Sequence, residues 1–248
     1  MNLFDNINNQ YVLFSGTSFE DEQGVFRHIN DLFFILYILY VKDISKENII
    51  LACDIKALNY LNKKTNNKKV KLIDNRLLTY IEMINTIVGD IINVIDFEKD
   101  YKNDKDKNLI FFASGHGNIH GLSIGQNKTY LSPDYFEKRV SNDKFTLLYL
   151  SQCIAGAFHH LDTRNKICVL GASEYQNSIS IPFKKLKMTK DHDKIEELFS
   201  FYENIAINPF IFTFFINILL SKQLIKRESK HLLNLYKYIN ANTTSFLK

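Results

Sequence analysis

Leu109-Ile110-Phe111-Phe112-Ala113 leads straight into Ser114-Gly115-His116-Gly117-Asn118, and Phe145-Thr146-Leu147-Leu148-Tyr149-Leu150 leads straight into Ser151-Gln152-Cys153-Ile154-Ala155-Gly156. Short, almost unbroken apolar runs that stop at small polar residues have the pattern of strands buried on both faces. Each run delivers a chemically capable side chain at its carboxyl end, an imidazole in one case and a thiol in the other. In an open α/β sheet, ligands bind outside the carboxyl ends of the strands. One sheet edge could therefore carry both groups, as nucleophilic cysteine catalysis requires.

Working outward, Tyr11 to Ser15, Asn48 to Cys53 and Lys166 to Leu170 read as further strands. Between them, Val25 to Tyr40 reads as a helix apolar on most faces after Asp31, and Leu77 to Val88 has apolar positions at helical spacing, ended by Gly89. Ser132-Pro133 opens a helix before the fourth strand, with Ser132 as N-cap and Pro133 in the first turn. Phe210 to Leu220 and Lys230 to Tyr238 read as helices within a C-terminal helical region, 205–240. Strands alternating with helices predict an α/β fold, a mostly parallel sheet covered on both faces, in a single domain over 1–248.

Composition narrows the classes. The chain has 248 residues, 46% of them hydrophobic, which is enough to bury one sizeable core. A net charge of +4 does not call for nucleic acid, and the run Lys63 to Lys69 reads as a solvated loop. The cysteines are Cys53, Cys153 and Cys168, a sparse, odd set with no disulfide framework, as expected of a reducing, cytoplasmic compartment. No signal peptide is expected from the first residues. The apolar segment 205–220 contains Asn208, Pro209 and Asn217 and is shorter than the roughly 20 residues a span needs. It reads as a buried helix, with no membrane role.

His116 and Cys153 are the candidate catalytic pair. A thiol is only a few per cent thiolate at neutral pH and must be activated. A helix starting at Ile154 would place Cys153 at a helix N-terminus, which favours the anion. Cys53 and Cys168 lie in strands and read as packing residues. A metal site drawn from His116, His120, Cys153, His159 and His160 lacks any compact ligand pair, so no metal is expected.

A hydrophobic strand ending in Ser-Gly-His-Gly, followed by one ending in Ser-Gln-Cys-x-x-Gly, resembles the caspase-like clan of cysteine peptidases, which includes caspases, metacaspases, legumain and separase. The interval from His116 to Cys153 is shorter than the roughly 50 residues quoted for caspases, and their Gln-Ala-Cys-x-Gly pattern is not kept. Gly171 to Ser178 resembles the metacaspase stretch Gly-x-x-Asp-x-Gln-x-Ser with Glu174 for the aspartate. Arg27 to Asp31 resembles the family's entry to its first helix, and Pro209 to Phe214 its late helix. The resemblance spans about residues 11–220 and implies a caspase-like three-layer sandwich of a bacterial single-domain member.

It further implies a cysteine endopeptidase working through a Cys-His dyad, with Cys153 as nucleophile and His116 as base. The backbone N–H groups of Gly117 and Cys153 would form the oxyanion hole. The substrate pocket would lie near Ser151, Arg27 and Glu174. Ser151 replaces the acid that selects basic P1 residues in metacaspases. Glu174 is either a carboxylate for a basic P1 or an exposed loop acid, so basic specificity is favoured over aspartate. The stretch 184–194 is a candidate cleavable loop. The Asp100–Asp106 cluster reads as a solvated loop more readily than a calcium site, although calcium activation is known in metacaspases. No other cofactor is expected. Besides its protein substrate, a separate regulatory or sensor protein is implied, as in bacterial defence or cell-death systems. Two alternatives stand: a catalytically silent protein-binding scaffold of the same fold, and an acyltransferase or transpeptidase of the same clan.

Overall fold

The computed structural model describes residues 3–21, 25–64, 70–71, 77–125, 129–140, 144–171, 181–182 and 206–207. The central sheet has six strands: β1 (Asn9–Phe14), β2 (Ile49–Cys53), β3 (Asp90–Asn93), β4 (Asn108–Ala113), β5 (Thr146–Leu150) and β6 (Lys166–Leu170). Their order is β6-β5-β4-β1-β2-β3, and every neighbouring pair is parallel. The principal helices are α1 (Asn30–Val41), α2 (Ile55–Lys64), α3 (Tyr80–Ile87) and α4 (Pro133–Arg139).

Side-chain alternation along the strands divides the core in two. Tyr11, Leu13, Ile49, Leu51, Ile110 and Phe112 face one side, where they pack with residues of α1, α2 and α3. Val12, Phe14, Ile50, Leu109, Phe111, Leu148 and Leu150 face the other, with Phe97, Tyr135, Phe136 and Phe158. These two cores make the three-layer α/β sandwich. The run Leu32 to Leu39 of α1 is buried all round, as expected for a helix apolar on every face.

Strand order places the functional edge. From β1 the chain moves outward through β2 to β3, then returns past β1 and moves the opposite way through β4 and β5 to β6. Right-handed crossovers put the connecting helices of the first march on one face and those of the second on the other. The connections leaving β1 and β4 therefore diverge to opposite faces, and a crevice opens at their carboxyl ends. The ladder continues one residue beyond these strands: Ser114 N–H donates to the Phe14 carbonyl at 3.0 Å and Ser151 N–H to the Ala113 carbonyl at 3.0 Å.

Several local readings are corrected. Strand β3 was not expected: Asp90-Ile91-Ile92-Asn93 is short, polar at both ends, and pairs only with β2. The helix expected from Leu77 begins at Tyr80, because Thr79 and Glu82 form a reciprocal capping box and Leu77–Leu78 pairs as a strand. The helix expected from Val25 starts with a π-helical turn, Val25–Ile29, before α1. Ser132 occupies the N-cap of α4 with Pro133 at its start, yet its side chain makes no capping bond. The Gly-rich stretch after β4 builds a three-stranded antiparallel ribbon, Gly117–Asn118, Gly121–Ile124 and Thr129–Leu131. Ala206–Ile207, within the segment 205–220 expected as a buried helix, instead pairs antiparallel with Ile181–Pro182. The predicted helices 210–220 and 230–238, the 184–194 loop and the matches at 172–178 and 209–214 fall outside the described residues. No helix among the described residues is long and apolar enough to cross a membrane.

Candidate active site

Cys153 is carried on a turn, not on a helix. Beyond β5, Ser151 is buried, and its hydroxyl donates to the Ala113 carbonyl at 2.8 Å. That bond ties the carboxyl ends of β4 and β5 together. Gln152 is buried and Cys153 is partly exposed. Ile154 then takes a left-handed conformation, φ 54°, which costs a β-branched residue of this kind energy. The helix that follows is a 3₁₀-helix, Ala155–Leu161. The helix expected from Ile154 thus begins one residue later, as a 3₁₀-helix with the left-handed Ile154 at its N-cap and Cys153 immediately before it.

The other two thiols differ in environment. Cys53 is fully buried, and burial pushes its pKa far up. Burial and the nearby Asp162 push Cys168 up to about 11. Both are poor thiolates at neutral pH.

The His116 loop is pinned from both sides. The His116 carbonyl accepts from Ser123 N–H at 2.9 Å, and Gly117 stands opposite Leu122 in the ribbon. Alternation in an antiparallel ladder turns the N–H of Gly117 away from the neighbouring strand. Gly117 abuts the cysteine turn closely: a Cβ there would lie 2.4 Å from Gln152 Cγ and 2.8 Å from the Cys153 carbonyl oxygen. Only glycine permits this approach. The fold thus sets Gly117, the residue after His116, against the Cys153 turn. The Cys153 N–H, the other expected oxyanion donor, forms no hydrogen bond with the described residues.

His116 has a partner that sequence reading did not find. Its Nε2–H donates to Asp21 Oδ2 at 2.7 Å, with both side chains partly exposed. Asp21 belongs to the loop after β1. A carboxylate on Nε2 sets the tautomer and leaves the Nδ1 lone pair available for a proton. The ring of His28 packs edge-on against that of His116, centroids 5.1 Å apart.

His28 anchors a buried chain of hydrogen bonds beneath the site. Arg27 donates to His28 Nε2 from Nη2 at 2.8 Å and from Nε at 3.2 Å. Arginine can only donate, so His28 carries its hydrogen on Nδ1 and gives it to Ser114 Oγ at 2.9 Å. Ser114 Oγ in turn donates to Asp31 Oδ2 at 2.6 Å. The π-helical turn delivers Arg27 and His28, and Asp31 follows in the first turn of α1. The stretch Arg27 to Asp31 was expected as the entry to the first helix, but its meeting with Ser114 was not. The available signal was the tight spacing of Arg27, His28 and Asp31 before a wholly apolar helix.

Burial, then Arg27 and then His116, holds the His28 pKa well below the ordinary 6.5. The unfolded chain therefore binds a proton near pH 6.5 that the folded chain refuses. Above that pH both states are neutral and His28 adds no pH dependence. Below it, folding stability is lost as pH falls, by up to about 1.4 kcal/mol per pH unit from this residue. His28→Gln is expected to remove that part of the slope. Urea unfolding of both proteins at pH 7.5, 6.0 and 5.0 measures it, and parallel slopes would refute the assignment.

The residues expected to shape the substrate pocket lie as follows. Ser151 turns its hydroxyl inward to Ala113, Arg27 engages His28, and Glu174 lies outside the described residues. In the Asp100–Asp106 cluster, Asp104 pairs with Lys107 at 3.7 Å and accepts from the Asp106 N–H. Among the described residues, no group of three His, Cys, Asp or Glu side chains could hold a metal ion. Comparison with protein-family models and with curated proteins returns no match to either.

Proposed function

We propose that this chain is a cysteine endopeptidase of the caspase-like clan, with Cys153 as nucleophile and His116 as its proton-transfer partner. The observation that carries the reading is the meeting of the His116–Gly117 loop and the Cys153 turn at the carboxyl edge of the sheet, beside the point where strand order reverses. The Asp21 carboxylate on the far nitrogen of His116 supports it.

On this reading Nδ1 of His116 takes the thiol proton, and the Cys153 sulfur attacks the scissile carbonyl carbon. A C–S bond forms, and the carbonyl electron pair moves to oxygen, facing the N–H groups of Gly117 and Cys153. Collapse of this tetrahedral species breaks the C–N bond. His116 returns its proton to the leaving amine. Water then attacks the thioester, giving up a proton to His116, and the acid product leaves with the thiol restored. The enzyme works in a reducing, cytoplasmic compartment on a protein substrate, favours a basic P1 residue over aspartate, and answers to a separate regulatory partner.

Cleavage of a P1-diverse fluorogenic peptide library by the reduced protein, with and without calcium, tests the proposal. Hydrolysis with a defined P1 preference is expected. No cleavage of any peptide, together with no selective labelling of Cys153 by peptidyl electrophiles, would refute it and leave the scaffold reading.

A further inference from the structure

Gln152 immediately precedes Cys153 and is 1% exposed. Among the described residues, neither its carboxamide oxygen nor its nitrogen has a hydrogen-bond partner. A buried polar group without partners carries its full desolvation penalty, and native proteins keep few of them. An apolar side chain of the same length would avoid that penalty. The placement is specific. The Gln152 side chain lies against Gly117, the residue after His116, so it occupies the seam between the two strand-end loops. The left-handed Ile154 stands two residues on, a second local cost in the same turn.

Two unfavourable features in one short turn mark a segment poised to rearrange. A carboxamide presents a donor and an acceptor side by side, the complement of a peptide unit. We propose that Gln152 is a substrate-binding residue. Its carboxamide pairs with a backbone peptide group of the bound substrate when the 152–154 turn shifts, and stays unpaired until then. This inference rests on the peptidase reading and adds to it: binding energy from the peptide backbone drives the turn into its reactive arrangement. It also accounts for a glutamine beside the nucleophile, where packing alone would favour an apolar residue.

The test compares wild type with Gln152→Met and Gln152→Leu. Each protein is alkylated with iodoacetamide and with tripeptidyl acyloxymethyl ketones carrying Lys, Arg, Ala or Asp at P1. The readout is the Cys153 labelling rate with the peptidyl reagent divided by that with iodoacetamide, followed by mass spectrometry. Melting temperature is measured in parallel. The wild type is expected to prefer a peptidyl reagent. Both variants are expected to lose that preference about tenfold or more, and to melt about 2–4 °C higher because the unpaired amide is gone. A variant that keeps the preference, or that melts lower or fails to fold, overturns the role of Gln152 while the peptidase reading stands. A wild type with no peptidyl preference overturns the role of Gln152, and together with no cleavage of any library peptide it overturns the peptidase reading as well.

Discussion

Cys153→Ala is expected to abolish peptide hydrolysis, with kcat reduced about 10⁴-fold or more. No other described thiol can substitute. Cys53 is buried, and Cys168 is partly covered, with its sulfur 3.6 Å from the Phe158 carbonyl oxygen and its pKa pushed up to about 11. His116→Ala is expected to fall to a similar level, because nucleophile and base act as a unit and their losses do not add. The double variant should therefore be no worse than either single one, and steady-state kinetics on the best library peptide reads this directly. Asp21→Asn is expected to cost less, since Asp21 orients His116 and does not touch the reacting atoms. Its signature is a fall in kcat with KM little changed. Equal activity in wild type and Cys153→Ala would remove Cys153 from the chemistry.

Gly117→Ala is expected to lower kcat about 100-fold in a protein that remains folded. The added methyl would sit 2.4 Å from Gln152 Cγ and 2.8 Å from the Cys153 carbonyl oxygen, closer than non-bonded atoms tolerate. Something must move, and the backbone oxygen of the cysteine turn cannot swing aside as a side-chain tip can. A displacement approaching 1 Å between nucleophile and oxyanion donors is of the size that costs about 10²-fold. Overpacking in the seam should also destabilise the fold by about 1–3 kcal/mol. Kinetics and urea unfolding on one preparation separate the two effects. Full activity in Gly117→Ala would show that the two loops are further apart during turnover than in this structure.

The α/β class and five of the six central strands were legible in the sequence, because each strand is announced by its own residues. Buried parallel strands are apolar along their whole length, and small or polar residues stop them at a definite point. The same locality revealed His116, Gly117 and Cys153, each next to a strand end. Where the signal weakened, elements went unread: β3 is four residues with polar ends, and the ribbon after His116 is built from strands of two to four residues. The helix after Cys153 was legible in its position, and the structure adds that it is a 3₁₀-helix entered through a left-handed Ile154.

The sequence by itself determined which residues form strands and which chemical groups stand at their ends, since hydrophobic runs and turn residues act over a few positions. Only the tertiary structure decided that β1 lies between β4 and β2, so that the loop carrying Asp21 meets His116 across 95 positions of chain. The same holds for the line from Arg27 through His28 and Ser114 to Asp31, and for Gln152, which lies against Gly117 with no hydrogen-bond partner among the described residues. Those meetings follow from strand order and crossover handedness, which depend on how whole faces are buried together rather than on any local run of residues.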